Sequence, residues 1–203
     1  MLPDRKNKVH YFCGYENNFV ISRDQTTLIG VEYDQKRKES SHSLVKLFNS
    51  HHWVRFGSNS RRVPTLLLVE SLNCLLTGDG KGRVIQYILQ GNRAQVVKDY
   101  GNLHIDWILA SASFGHIAVF GGMKGKLVFI DVNSRTILED PFSVSPQTIY
   151  SLKFFPLPKE SHRILLTVSG NYYFDSCYTD CLDVTALFTT HQRLIAYDLS
   201  DKN

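Results

Sequence analysis

One segment of the sequence occurs twice, and this repeat constrains the fold more than any other feature. Residues 75–89 reappear as residues 118–132, with Gly78 aligned to Gly121. The copies are 43 residues apart, since 121 − 78 = 43, and no gap is needed. Each copy consists of an apolar run, a glycine-containing turn and a second apolar run. A repeat of this length and pattern predicts an all-β chain, a β-propeller whose repeats each form one four-stranded blade.

The pattern extends over most of the chain and predicts about three and a half antiparallel blades. We expect them at about residues 9–48, 65–100, 105–140 and 148–199, which together form one small or incomplete propeller over residues 1–203. The fourth strand of each middle blade is more polar than the three before it. This gradient is expected because inner strands are covered on both faces, whereas the outermost strand lies at the wet rim.

The connections exclude a parallel sheet. Continuous apolar runs such as residues 66–69 and 127–130 fit either a propeller blade or a parallel α/β sheet. Parallel strands need crossovers of about a dozen residues, but only residues 78–82 separate two strands of the repeat. In the first blade we expect strands at residues 9–13, 19–22, 27–34 and 44–48, followed by a polar loop over residues 49–64.

The fourth unit departs from the repeat. Strands are expected at residues 148–155, 163–170 and 193–199, and an insertion over residues 171–192 replaces the tight turn. A short helix is expected near residues 180–189, because Asp180 suits an N-cap and apolar residues follow at helical spacing. These apolar residues are Cys181, Val184, Leu187 and Phe188. After residue 199 the chain is too short for an outer strand.

The ends of the third strands carry a further resemblance. The pairs Tyr33-Asp34, Ile130-Asp131 and Tyr197-Asp198 stand where WD40 repeats have Trp-Asp, and Tyr87-Ile88 stands there in the second unit. No unit has the literal Trp-Asp pair, so the chain resembles a divergent WD40-type propeller in its blade pattern. The resemblance implies a rigid platform for protein partners, without catalysis.

A WD40-type ring usually closes with about seven blades, more than this chain supplies. An unclosed stack would leave apolar faces exposed, which soluble monomers seldom tolerate. Three arrangements remain open. Either the chain is part of a longer propeller, or it pairs with another copy or a partner to complete a ring, or it closes alone with four blades.

The charge of the chain is modest and uneven. The net charge is +4, and residues 1–62 carry 11 lysines and arginines against 6 acids. This basic first third fits an acidic partner, an anionic membrane surface or nucleic acid, while an ordinary solvated face is the simpler alternative. No apolar run reaches the roughly 20 residues of a membrane helix, and the first eight residues lack the apolar core of a secretory signal. With no disulfide framework among four cysteines, we expect a cytoplasmic protein, the nucleus being the alternative.

No residue pattern points to catalysis. His51 and His52 are adjacent but have no acid or cysteine at ligand spacing, and Cys177 and Cys181 lack the further ligands of a zinc finger. The glycine-rich segment at residues 78–82 leads into a strand, so it is a β-turn and not the phosphate-binding loop that precedes a helix. We therefore predict a protein that is not an enzyme and has no metal or cofactor.

Surface recognition is the function that remains. In a WD40-type ring the turns between second and third strands share one face with the loops between blades. Since Trp and Arg are enriched at binding hot spots, partner binding is expected from residues of these turns and loops. The candidates are Trp53, Arg55, Lys81, Arg83, Asp106, Trp107, Lys124 and Lys126. The alternatives are that Trp107, just inside an expected strand, is a core residue, and that Lys124 and Lys126 are merely solvated.

The leading hypothesis is a non-catalytic platform for other proteins, whose identity the sequence leaves open. The alternative is attachment to an anionic membrane surface or nucleic acid through the basic N-terminal third. Such binding would weaken steeply with added salt. The residues that would carry it are Lys36, Arg37, Lys38, Arg55, Arg61 and Arg62.

Overall fold

The chain folds into antiparallel β-sheets, which confirms the expected all-β class. Its structure is a computed structural model that describes residues 19–23, 27–34, 39–46, 53–59, 63, 65–91, 93–144, 146, 148–156, 164–172 and 176–183. Within these ranges there are sixteen strands, two single-turn 3-10 helices and no α-helix. None of the helices found there could span a lipid bilayer.

The strands form four sheets in chain order, and within each sheet consecutive strands pair with one another, except that β13 pairs with β11 and not with β12. The first sheet contains β1 (Phe19–Ile21), β2 (Thr27–Asp34), β3 (Glu39–Lys46) and β4 (Trp53–Asn59). The second sheet contains β5 (Thr65–Val69), β6 (Cys74–Gly78), β7 (Arg83–Gln90) and β8 (Arg93–Asn102).

The third and fourth sheets continue the same antiparallel order. The third contains β9 (Ile108–Phe114), β10 (Ile117–Gly122), β11 (Lys126–Asp131), β12 (Thr136–Ile137) and β13 (Phe142–Ser143). Both β12 and β13 pair with β11. The fourth sheet contains β14 (Ser151–Pro156), β15 (Ile164–Tyr172) and β16 (Ser176–Asp183).

The second and third sheets repeat each other, as the sequence predicts. The strands of the second sheet begin at residues 65, 74, 83 and 93, and β9 to β12 begin 43 residues later, at 108, 117, 126 and 136. A backbone hydrogen bond recurs at the same offset. Leu89 N donates to Asn73 O at 2.8 Å, and Val132 N donates to His116 O at 2.8 Å. The two copies of the repeat therefore occupy equivalent positions in different sheets.

The packing between sheets explains the repeated glycine. A Cβ at Gly78 would lie 2.7 Å from Cγ2 of Ile108, in the first strand of the next sheet. A Cβ at Gly121 would lie 3.1 Å from Cγ2 of Ile149, just before the first strand of the sheet that follows. Ordinary contacts between apolar carbons are about 3.5–4.0 Å. A larger residue at Gly78 would push the neighbouring sheets apart, whereas at Gly121 it would require Ile149 and Leu127 to shift by a few tenths of an ångström.

Three apolar clusters fill the spaces between successive sheets. Because side chains alternate along a strand, Leu66 and Leu75 belong to the cluster shared with the first sheet. Leu67 and Leu76 belong to the cluster shared with the third sheet. Inner strands are thus covered on both faces, which confirms the interpretation of the continuous apolar runs. The outer strand β8 is mostly exposed or half-buried, as its polar sequence predicts.

The first sheet differs from the predicted assignment. The expected strand at residues 44–48 overlaps the end of β3, and the expected loop over residues 49–64 contains β4. Turn-forming residues near the end of β4 suggested a loop, but an outer strand tolerates polar residues because it needs partners on one edge only. A bulge between Ser41 and Ser43 accommodates the pairing. The expected first strand at residues 9–13 lies outside the described residues.

The expected helix near residues 180–189 is wrong over residues 180–183, which form the end of β16. This strand pairs with β15 from Ser176 opposite Tyr172 to Asp183 opposite Leu165. Hairpin pairing over eight residues outweighs the helical spacing of a few apolar side chains, which is a weak signal over so short a segment. Residues 184–189 and the expected strand at residues 193–199 lie outside the described part of the chain.

Candidate interaction surface

Three segments from two sheets meet at one edge of the molecule, here called the turn edge. They are the turn at residues 79–82, the connection at residues 103–107 and the turn at residues 123–125. Leu103 N donates to Gly82 O at 2.8 Å, and Met123 N donates to Asp106 O at 3.0 Å. These backbone bonds join the connection to the turns on either side of it, so the three segments form one continuous surface.

The first turn is held by a buried carboxylate. Asp79 is only 3% exposed, and its Oδ1 accepts hydrogen bonds from Lys81 N at 2.8 Å and Arg83 N at 2.9 Å. Gly82 N donates to Asp79 O at 3.1 Å, and Gly82 has a φ of +78°. These bonds confirm the β-turn expected at residues 78–82. Lys81 is exposed at the tip of this fixed turn.

Two lysines of the third sheet extend over the connection. Lys124 Nζ lies 3.0 Å from Asp106 Oδ2, and Lys126 Nζ donates to His104 O at 3.1 Å. The Lys124 and Asp106 side chains are 74% and 64% exposed, so water screens the pair and it contributes little to stability. The structure therefore brings together three predicted site residues, two of them as an exposed ion pair.

Arg83 lies at the start of β7 and pairs with the outer strand. Its guanidinium donates to both carboxylate oxygens of Asp99, through Nε at 3.1 and 3.2 Å and through a second nitrogen. This hydrogen bonding lowers the pKa of the Asp99 carboxyl and raises the pKa of Arg83. Asp99 was not among the predicted site residues, because a partner 16 residues away on a neighbouring strand leaves no local signal.

Trp107 is not inside a strand, contrary to the core interpretation. It immediately precedes β9, has a φ of +47° and is partly exposed. A Cβ at Gly122 would lie 2.2 Å from Trp107 O, so the adjoining glycine allows the backbone of the third sheet to approach this residue closely. Trp107 is thus a partly accessible aromatic residue of the turn edge, next to Asp106.

The structure does not bring Trp53 and Arg55 to the turn edge. They lie in β4, opposite Val45 and Ser43 of β3. Because strand direction alternates along each meander, β4 begins at the edge opposite the turn edge. Of the other basic residues in the N-terminal third, those at 36–38 and at 61–62 lie outside the described residues, as do His51 and His52.

A buried polar network links the second and third sheets away from this surface. Gln86 Nε2 donates to Val132 O at 3.1 Å, and the Tyr100 hydroxyl donates to Gln86 Oε1 at 2.6 Å. Burial raises the pKa of the Tyr100 phenol, so it stays protonated and can donate this bond. Gln86 is 1% exposed and has partners for its oxygen and nitrogen, which indicates a structural role.

Among the described residues, no three His, Cys, Asp or Glu side chains are grouped to hold a metal ion. Cys177 and Cys181 both lie in β16. Four residues along a strand correspond to roughly 13 Å between Cα atoms, so the backbone of β16 holds these two positions well apart.

Comparisons with known proteins bear on the fold. No protein-family model matches the chain, and no curated protein sequence matches it. Among solved structures it is similar to the computationally designed Ika8 protein, with a TM-score of 0.61 and 14% identity over 89% of this chain and 48% of Ika8. It is also similar to the computationally designed Ika4 protein, with a TM-score of 0.55 and 12% identity over 83% of this chain and 94% of Ika4. The chain spans about half the length of Ika8.

Proposed function

We propose that the chain is a propeller-type, WD40-like repeat domain that acts as a non-catalytic platform for binding other proteins through its turn edge. The architecture is supported by successive antiparallel meanders that stack face to face, two of them with strands starting at a constant offset of 43 residues. Such stacking of similar sheets is what a blade repeat requires.

The observation that carries the binding role is the fixed presentation of charged side chains at the turn edge. Backbone hydrogen bonds hold the turns and the connection in place, so a partner would bind a preformed surface and little ordering free energy would be lost on binding. Lys81, Asp106 and Lys124 are exposed there, and Trp107 is partly exposed beside them. An aromatic residue surrounded by charged groups is a common arrangement at protein interfaces.

A pair of matched double variants tests this role. Lys81→Glu with Lys124→Glu reverses two charges at the turn edge, where Lys124 has a φ of +62°. Arg93→Glu with Arg135→Glu makes the same charge change at the opposite edge, where Arg135 has a φ of +60°. Both arginines are exposed. The control therefore reproduces the charge reversal and the left-handed backbone position without touching the proposed surface.

The measurement is quantitative affinity capture from the cell of origin, comparing the wild-type chain with both double variants. We expect a defined set of proteins to be lost with the turn-edge variant and retained with the opposite-edge variant, while both variants keep the wild-type circular dichroism spectrum. Equal retention by the two variants would refute the turn edge as the binding surface. Binding of anionic vesicles or DNA in low salt, unaffected by the turn-edge change, would instead favour the basic N-terminal third.

A further inference from the structure

The accessible side chains of the turn edge carry an excess of positive charge. Three of the four accessible charged groups are cations, which gives a balance of +2. These four groups are Lys81, Asp106, Lys124 and Lys126. Two other charges nearby are already engaged, because Asp79 is buried and accepts backbone N–H groups and Arg83 is paired with Asp99. The surface that a partner meets is therefore basic, although it is not uniformly so.

The three lysines differ in what already holds them. Lys124 is paired with Asp106 at 3.0 Å, and the Lys126 ammonium donates to the His104 carbonyl at 3.1 Å. Among the interactions of the described residues, none engages the Lys81 ammonium, whose backbone N–H alone is bonded to Asp79. Lys81 thus presents an uncompensated charge at the tip of a turn whose backbone is fixed.

We infer that the partner of the turn edge presents an acidic polypeptide segment to it. One carboxylate of the segment would pair with Lys81, and a second would compete with Asp106 for Lys124. Opposite charges at an interface steer association and fix the orientation of the partners. The inference rests on the proposed function and specifies the chemistry of the partner at the same surface.

The position of Asp106 favours a polypeptide over nucleic acid or a membrane surface. Its carboxylate is 64% exposed and lies beside Lys124. Duplex DNA carries one negative charge per roughly 1.7 Å of its axis, so phosphates that reach Lys124 would also approach Asp106. In an extended peptide, side chains on one face are about 6.6 Å apart. Acidic side chains at such a spacing can contact the lysines while uncharged residues lie against Asp106.

The test is a titration of the purified chain into a fluorescein-labelled octaglutamate peptide, followed by fluorescence anisotropy. An octaglutamine peptide of the same length is the neutral control. We expect only octaglutamate to bind and its affinity to fall with added salt, since the Debye length shrinks from about 30 Å at 0.01 M to about 8 Å at 0.15 M ionic strength. Amide chemical shifts of the isotope-labelled chain should change at the turn edge and stay constant at Arg93 and Arg135.

Two single variants with opposite expected effects sharpen the test. Lys81→Gln should weaken octaglutamate binding by roughly two- to fivefold, the size of one exposed ion pair. Asp106→Asn should strengthen it by a similar factor of roughly two to five, because it removes a like charge and frees Lys124. A merely structural role of Asp106 would not produce tighter binding. Glu139→Gln makes the same change of net charge at an exposed position between β12 and β13 and should leave the affinity unchanged.

Several results would overturn the inference. These are equal binding of the two peptides, absence of octaglutamate binding in low salt, weaker binding by Asp106→Asn, and tighter binding of duplex DNA or phosphatidylserine vesicles through Lys81. If a partner is captured through the turn edge but octaglutamate does not bind, the proposed function stands and the acidic partner is wrong. If octaglutamate binds there but both double variants retain the same proteins, the platform role itself is wrong.

Discussion

Substituting alanine for Gly78 tests the packing between the second and third sheets directly. The added Cβ would lie 2.7 Å from Cγ2 and 3.0 Å from Cβ of Ile108. Ile108 is fully buried, and its branched Cβ leaves it few alternative rotamers, so the contact is relieved only if the sheets move apart. Overpacking of this kind costs about 1–3 kcal/mol. Alanine also lowers the conformational entropy of the unfolded chain, which stabilises the folded state by about 0.4–1 kcal/mol. We expect the free energy of unfolding to fall by about 1.3 kcal/mol, the difference between the midpoints of these two ranges, about 2 and about 0.7 kcal/mol.

Two substitutions at Ile108 separate the steric contact from a general loss of packing. Ile108→Ala removes Cγ2, the atom nearest to the new Cβ, so combining it with Gly78→Ala should cost less than the sum of the single changes. The coupling energy should be about 1–2 kcal/mol, the size of the relieved contact. Ile108→Val removes Cδ1, which lies 3.4 Å away, but keeps Cγ2. That combination should be nearly additive.

Urea-induced unfolding, followed by tryptophan fluorescence at constant temperature, gives the free energies for both cycles. Gly101→Ala is a suitable control, because Gly101 has a φ of +69° and nothing lies within 4 Å of an added Cβ. Its cost comes from backbone strain alone and should add to that of Ile108→Ala. A neutral or stabilising Gly78→Ala, or equal coupling in the alanine and valine cycles, would refute the steric explanation of the glycine repeat.

Substitutions at three further positions test the polar groups described above, each by the same unfolding measurement. Asp79→Ala should lower the free energy of unfolding by about 1–3 kcal/mol, because two backbone N–H groups lose a buried acceptor, and Asp79→Asn should cost less since it retains one oxygen. Tyr100→Phe should cost about 1–2 kcal/mol by leaving the oxygen of Gln86 without its donor. Arg83 lowers the pKa of Asp99 in the folded state. The stabilisation by this ion pair is therefore fully present above the pKa of Asp99 in the unfolded chain, near 4, and is lost as the pH falls through the lower pKa of Asp99 in the folded chain. Because the Arg83 and Asp99 side chains are 43% and 40% exposed, water screens the pair and Asp99→Asn should cost less than about 1 kcal/mol at pH 7, and the difference from wild type should vanish in acid. An unchanged difference at low pH would contradict this origin.

The middle of the fold follows from the sequence because its constraints are local and repeated. Gly78 and Gly121 mark positions where a side chain would collide with the next sheet, and the apolar runs around them mark strands buried on both faces. Strand type, order and spacing over residues 65–137 therefore follow from the repeat. The strand β4 had no such signal, since its exposed edge permits polar residues. The strand β16 is defined by its pairing with β15, which no local spacing reveals.

The candidate surface was predictable in outline but not in its pairings. Placing the turns at one edge requires only that successive sheets are equivalent, which the repeat already implies. The approach of Lys124 to Asp106 and of Arg83 to Asp99 depends on the twist and register of neighbouring strands. A single sequence gives no information on the twist or the register. Trp107 was misplaced for a related reason, because the positive φ before β9 arises from the connection between sheets and not from its own neighbours.

The glycine repeat is better evidence for equivalent sheets than the dipeptides at the ends of the third strands. Asp131 ends β11, and its Oδ1 accepts hydrogen bonds from Asn133 N at 2.9 Å and Ser134 N at 3.0 Å, so it stabilises the following turn. The equivalent position in the second sheet is Ile88, because β7 continues to residue 90 before it turns. The residue type at this position therefore depends on the length of the strand, which differs between the two sheets. Gly78 and Gly121 are instead required by the short distance between neighbouring sheets, which the stacking keeps constant.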